Sequence, residues 1–192
     1  MRPGSENHCG WKMVDQKGMG LDWNLEEWLK KIEEKVKCNG ITKWRRGLEL
    51  KSSLDHYALK TAPGYEEFYD GSFGACLLFK ARSGSLELAI RTHRWDTLGS
   101  KLCQVCDEDL EENIQHFLWK CRGYEELRGR LQQMTENALG EEIEYDQNEI
   151  EFMLVALGLH IRSDLTIIGE TKKYLEEAWV KRKRILNLLP SV

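Results

Sequence analysis

Cys103, Cys106, His116 and Cys121 are the residues whose types and spacing could do chemistry: C-x2-C, nine residues, a histidine, four residues and a third cysteine. Thiolate and imidazole are donors that zinc prefers, and four of them at tetrahedral corners saturate the ion. The C-x2-C turn brings two sulfurs to one edge of the tetrahedron, and the His/Cys pair closes it from the other side. With every position filled by protein, the expected ion is structural, one Zn2+ per chain, with none left open for catalysis. On a regular helix His116 and Cys121 would lie about 140° apart. A helix carrying His116 must therefore end or tighten near Lys120 for Cys121 to reach in. The plainer reading is a chance cluster of three small thiols and one hydrogen-bonded histidine. C-x2-C alone would leave that reading strong; the downstream pair at finger-like distance favours zinc. His93 is a conceivable extra ligand but reads better as a surface histidine, and His8 beside Cys9 reads as tail. Cys9, Cys38 and Cys76 stand alone and are expected to be free, packed thiols.

The elements that must position these donors read as helices. No proline occurs between Pro63 and Pro190, so the stretch carries no obligatory breaker. Leu25, Trp28, Leu29, Ile32 and Val36 share a helical face, with Asn24 and Glu27 as a capping-box start and Asn39-Gly40 as the expected stop. Residues 41–60 read as helical with a break near Ser52-Ser53, and residues 73–82 as a compact apolar helix ended by Ser83-Gly84. Beyond Cys121, Tyr124, Leu127, Leu131 and Met134 share a face and Gly140 terminates it. Asp146 and Glu149 precede Ile150, Met153, Leu154 and Leu157, and a last helix over about 164–187 carries Ile168, Thr171, Leu175, Ala178 and Trp179. No strand-period alternation or internal repeat is visible. The expected fold is mostly α: a small helical domain with an embedded CCHC zinc knuckle. Its organisation reads as a tail and amphipathic helix (1–40), a helical segment with a basic run (41–102), the zinc segment and following helix (103–135), and C-terminal helices (136–192).

Composition and charge bound the function. The 192 residues carry 28 Lys+Arg against 32 Asp+Glu, a net −4 with 41% hydrophobic residues, which excludes a disordered polyion. No apolar run approaches the ~18 residues of a membrane span, and the first residues lack a signal-peptide core. Both point to an intracellular protein, nuclear or cytoplasmic, with no membrane partner. By block, residues 1–39 are neutral, 40–102 carry +3, 103–150 carry −9 and 151–192 carry +2. The −9 block repels phosphate, so nucleic acid, if bound, is expected before residue 103 or near the C-terminus. Lys80, Arg82, Arg91, His93, Arg94, Trp95 and Lys101 form a basic run with an interleaved aromatic, the composition of backbone contact plus base stacking. An ordinary solvated face with a buried tryptophan has the same composition. Lys181-Arg182-Lys183-Arg184 reads most simply as a charged helix end, with a nuclear signal or a phosphate contact as alternatives. Asp107, Asp109, Glu111 and Glu112 read as a solvated loop between ligands.

The residues around the knuckle resemble a known family. Leu77-Leu78-Phe79-Lys80-Ala81-Arg82-Ser83-Gly84-Ser85 precedes the cysteine pair, and Glu112, His116-Phe117-Leu118, Cys121, Tyr124 and Arg128 follow it. This pattern is similar to the C-terminal zinc-binding segment of non-LTR (LINE-like) retrotransposon reverse transcriptases, with Ser83 where threonine is commoner. Trp44, Leu54, Tyr57, Lys60 and Tyr65 resemble the segment just upstream in that family, so the likeness covers roughly residues 41–135. It implies a module that helps hold RNA or DNA beside a polymerase, with an upstream reverse-transcriptase domain as partner if the chain is part of a longer enzyme.

The polymerase chemistry itself is missing from the sequence. Two-metal phosphoryl transfer needs paired carboxylates, and none of the nine aspartates is adjacent to another. No Walker loop, dinucleotide fingerprint, G-x-S-x-G elbow or H-E-x-x-H occurs either. The chain therefore reads as no enzyme. Two classes stay open: a nucleic-acid-handling derivative of a reverse transcriptase, contacting its ligand through Lys80, Arg82, Arg91, Arg94, Trp95 and Lys101, or a host-adopted, zinc-stabilised helical interaction domain.

Overall fold

The computed structural model describes residues 24–51, 54, 57–60, 63–140 and 145–187. It is mostly helical, and among these residues there is no β-strand, only an isolated antiparallel bridge between Leu102 and Glu111. The chain divides into two compact units, Met1–Gly47 and Leu48–Val192.

The first unit contains most of helix α1 (Leu25–Glu49). Asn24 caps its start, its side chain accepting from the Glu26 N–H at 3.2 Å. The helix does not stop at Asn39-Gly40, as its sequence suggests, but runs on to Glu49. A mid-helix glycine costs only about 1 kcal/mol against alanine, and the apolar spacing resumes beyond it at Ile41, Trp44 and Leu48, of which Leu48 is buried. The lone cysteines also depart from expectation: Cys38 is disulfide-bonded and Cys76 is free but exposed. Cys9 and His8, and the break expected at Ser52-Ser53, lie outside the described residues.

The second unit is built on one long helix. After a 3-10 turn (Tyr57–Leu59) come α2 (Phe73–Arg82), the short α3 (Ala89–Thr92), a π-helical turn (His116–Lys120), α4 (Glu125–Leu139), α5 (Tyr145–Ala156) and α6 (Leu165–Ile185). Asp164 caps α6 through Ile167 N–H at 2.7 Å. Its buried positions, Ile167, Ile168, Thr171, Tyr174, Leu175, Ala178, Trp179 and Arg182, form a continuous stripe at 3.6-residue spacing. Helices α2 and α4 both pack on α6, and α5 packs on α4 and α6. Gly74 sets the α2 crossing: a Cβ there would meet Lys172 Cβ and Glu176 Oε1 at 2.8 Å. Ser72 caps α2, and α4 ends at Gly140, the stop the sequence predicts, at φ 77°. On α4 the buried face is Arg128, Leu131, Thr135 and Leu139, a rotation away from the expected Leu127 and Met134, which are partly buried. Side chains at residues 145–148, including the expected cap Asp146, lie outside the description.

Candidate metal centre

Three local devices bring the four donors together. A short hairpin carries the first pair: Cys103 N–H donates to Leu110 C=O at 2.8 Å, Glu112 N–H to Lys101 C=O at 2.9 Å, and Asp109 turns the chain at φ 50°. Within it the Val105 N–H points at Cys103 Sγ, 3.4 Å away. Asn113 then starts the next element, its side chain accepting from the His116 N–H at 2.8 Å. The third device is the π turn. The helix ends at Lys120 by widening, not by tightening: Cys121 N–H reaches back to His116 C=O, five residues earlier, at 2.8 Å. That i→i+5 closure brings two residues that a regular helix would splay onto one side, and π turns recur at functional sites for this reason.

The ligand atoms of Cys103, Cys106, His116 and Cys121 all lie within 4.8 Å of one another. Cys103 and Cys121 Sγ are 3.8 Å apart, and Cys106 Sγ is 3.3 Å from His116 Nε2. A tetrahedral ion with bonds of about 2.0–2.3 Å separates its ligands by about 3.3–3.8 Å, so these two edges already have the length that metal binding needs. Cys103, His116 and Cys121 are buried, and Cys106 lies at the rim. The electrostatics suit a cation. The Cys121 thiol beside Cys103 holds the Cys103 thiol down to about 3. The same hydrogen bond, with burial, pushes Cys121 far above the usual thiol range, and burial raises Cys106. Thiolates this close repel one another, and a bound metal ion would offset that charge. The four residues could thus hold one metal ion, with no position left for substrate. His116 Nδ1 is buried without a partner, whereas metal-bound histidines usually donate from that nitrogen.

The surroundings tie the centre into the core. Phe117, in the π turn, packs edge-on against Tyr124 and Trp179, and its C=O accepts from Tyr174 OH at 2.5 Å. Trp119 stacks on Phe152 of α5, and Arg128 Nη1 donates to Cys121 C=O at 3.2 Å. Glu112 corrects the reading of a solvated acidic loop. It is buried, and its carboxylate accepts from the Ala89 N–H and from Nε and Nη2 of Arg182, each at 2.7 Å. Asp107, Asp109 and Glu111 are exposed, as expected.

The basic run fares unevenly. Arg82 is buried, paired with Glu66 at 2.7 Å, bonded to Tyr69 OH and faced by the Tyr57, Phe68 and Tyr69 rings. It holds the fold and does not face a ligand. Lys80 is half-buried, and Arg91 is half-exposed with Nη1 on Gly84 C=O at 2.8 Å. Arg94 and Lys101 are exposed, and Trp95 is 84% exposed on a tight turn closed by His93 Nδ1 against Gly99 C=O at 2.7 Å. His93 is therefore no metal ligand but a turn clamp. Of the C-terminal basic run, Arg182 is the buried partner of Glu112. Lys183 lines a cavity of about 260 Å³ shared with Thr92, Gly99, Ser100 and Gln104, so the run meets the 92–100 turn. Sequence reasoning missed Glu112 and Arg182 as a pair because nothing local links residues 70 apart.

No helix among the described residues is long and apolar enough to cross a membrane. No protein-family model matches the chain, and no curated protein and no solved structure matches it.

Proposed function

We propose that Cys103, Cys106, His116 and Cys121 bind one structural Zn2+, and that the domain they brace assists RNA or DNA binding. On this reading the chain is a zinc-bearing accessory segment of the kind its motifs resemble in non-LTR reverse transcriptases, without polymerase chemistry of its own. The observation that carries the zinc is the convergence of three sulfurs and one imidazole nitrogen within 4.8 Å. Three thiols and one histidine, all protein and all inward, are a donor set that zinc fills as a closed structural site. The nucleic-acid part is supported by the exposed Trp95 beside Arg94, with Arg91 and Lys101 near in sequence. An exposed aromatic flanked by cations suits a base stacked over a neutralised backbone.

Elemental analysis of the purified chain tests the ion. One zinc per chain is expected, falling well below one in Cys103→Ser/Cys121→Ser. Anisotropy of a labelled single strand across a salt series tests the ligand. Arg91→Ala/Arg94→Ala should lower the affinity and the salt slope, and Trp95→Ala should cost roughly 1–3 kcal/mol. The second reading, an interaction domain that binds no nucleic acid, is favoured by the exposed pair Trp95 and Leu98 and by the acidic hairpin beside them. Absence of binding at low salt would select it.

A further inference from the structure

The continuation of α1 through Asn39-Gly40 joins two groups of cations that a helix stop there would have separated. Residues 35–48 contain Lys35, Lys37, Lys43, Arg45 and Arg46 and no acidic residue, in a chain of net charge −4. On one unbroken helix Lys35, Asn39, Thr42, Lys43 and Arg46 fall at i, i+4, i+7, i+8 and i+11, a single stripe. All five are exposed. Among the described residues, Lys35, Lys37, Lys43 and Arg46 have no carboxylate partner. The helix dipole accounts for Arg46, in the last turn, but not for Lys35, Lys37 and Lys43, which lie beyond its reach.

We infer that this stripe is a second nucleic-acid contact, a backbone-reading surface separate from residues 91–101; it rests on the nucleic-acid reading above. From Lys35 to Arg46 the helix rises about 17 Å, the axial span of about five phosphates of one strand. Three cations along it neutralise phosphates, and Asn39 and Thr42 offer polar side chains between them. Thr42 spends its hydroxyl hydrogen on Cys38 C=O at 3.0 Å, so of the two it is Asn39 whose side-chain N–H groups can donate to a phosphate. An anionic membrane is the less suitable partner. Of the exposed apolar residues of α1, Leu25, Leu29 and Ile32 precede the stripe and Val36 lies within its span; the first three are interleaved with Glu26, Glu27, Glu33 and Glu34, which lipid phosphates would repel.

The test is anisotropy of a labelled single-stranded RNA and a labelled DNA duplex against the full chain, over a salt series. Lys35→Ala/Lys43→Ala/Arg46→Ala should weaken binding at least tenfold in 0.1 M salt and reduce the salt slope by about 2–3. Arg130→Gln/Lys173→Gln removes two exposed cations elsewhere and should change neither. Should the α1 variant bind like the parent while Arg91→Ala/Arg94→Ala is weakened, the stripe is overturned and the nucleic-acid reading stands. An equal loss in the Arg130/Lys173 control would reduce the effect to bulk charge and also overturn it. No binding of either probe at low salt would sink both readings, as would binding confined to vesicles containing phosphatidylserine. Circular dichroism and zinc content, unchanged in all variants, keep folding out of the comparison.

Discussion

Glu112 is held by three donors from two elements far from it in sequence, the Ala89 N–H and the Arg182 guanidinium. With the carboxylate 2% exposed and the guanidinium 7%, removing one partner leaves a buried, uncompensated charge. Arg182→Met should therefore cost about 3–5 kcal/mol in urea unfolding. Replacing both (Glu112→Gln/Arg182→Met) should recover part of that loss, because glutamine's side-chain oxygen can still accept from the Ala89 N–H without bringing a charge; a double variant no more stable than the single would refute the argument. Glu66 makes a second such claim. Burial pushes its carboxyl up, but hydrogen bonds from Arg82 and Lys60 outweigh this and leave it below the ordinary glutamate value. A depressed folded-state pKa gives stability that is present above the unfolded-state value and lost as pH falls through the folded one. Acid unfolding should thus steepen below the normal glutamate range, and Glu66→Gln should flatten that limb. Neither Arg82 nor Glu112 was legible as buried in the sequence. The burial of a charge depends on a partner that spacing does not reveal.

Where elements carry their own signals, the sequence foretold them. Asn24 marks a helix start, Gly140 marks an end, and the stripe on α6 announces its buried face, because each acts within a turn or two. The continuation of α1 was hidden because Asn39-Gly40 is a local stop worth about 1 kcal/mol, which the apolar spacing beyond it overrides. The four donors were legible from spacing alone, but the π turn that unites two of them was not, since spacing shows that a regular helix fails and not how it is relieved. Gly123 lies in the 3-10 turn (Arg122–Tyr124) that follows Cys121. A Cβ there would lie 2.6 Å from Val105 Cγ1 and 2.8 Å from Val105 C=O, and the backbone oxygen belongs to the hairpin that carries the first cysteine pair. Gly123→Ala should push hairpin and turn apart and weaken metal affinity by tenfold or more, read by competition with a coloured chelator. Unchanged affinity would mean the hairpin can yield without moving its sulfurs.

At the scale of the molecule, the Cys/His cluster is a wall of the core and not an appendage. The sequence suggests that chelation would melt residues 100–125 and spare the last helix. Phe117 on Trp179, Tyr174 on the Phe117 carbonyl and Arg182 on Glu112 lead to a different expectation. Zinc in finger peptides is worth an apparent ~10–16 kcal/mol, comparable to the whole stability of a domain at about 5–15 kcal/mol. Chelation should collapse the near-ultraviolet circular dichroism of Trp119 and Trp179 together and abolish a single cooperative melt of the second unit. A melt that keeps its sharpness without metal would show that the core stands alone. The placement of α6 has one further consequence. Among the described residues, the long-range partners of this helix are made before it: Gly74 lies 102 residues ahead of Glu176, and Glu112 lies 70 ahead of Arg182. Contacts of such separation close late and slowly, whereas the four candidate ligands span 19 residues and can meet as soon as they leave the ribosome. During synthesis the loaded centre would be a finished corner of an unfinished domain, holding Phe117 and Tyr124 in register while α2 and α4 await the helix that covers them both.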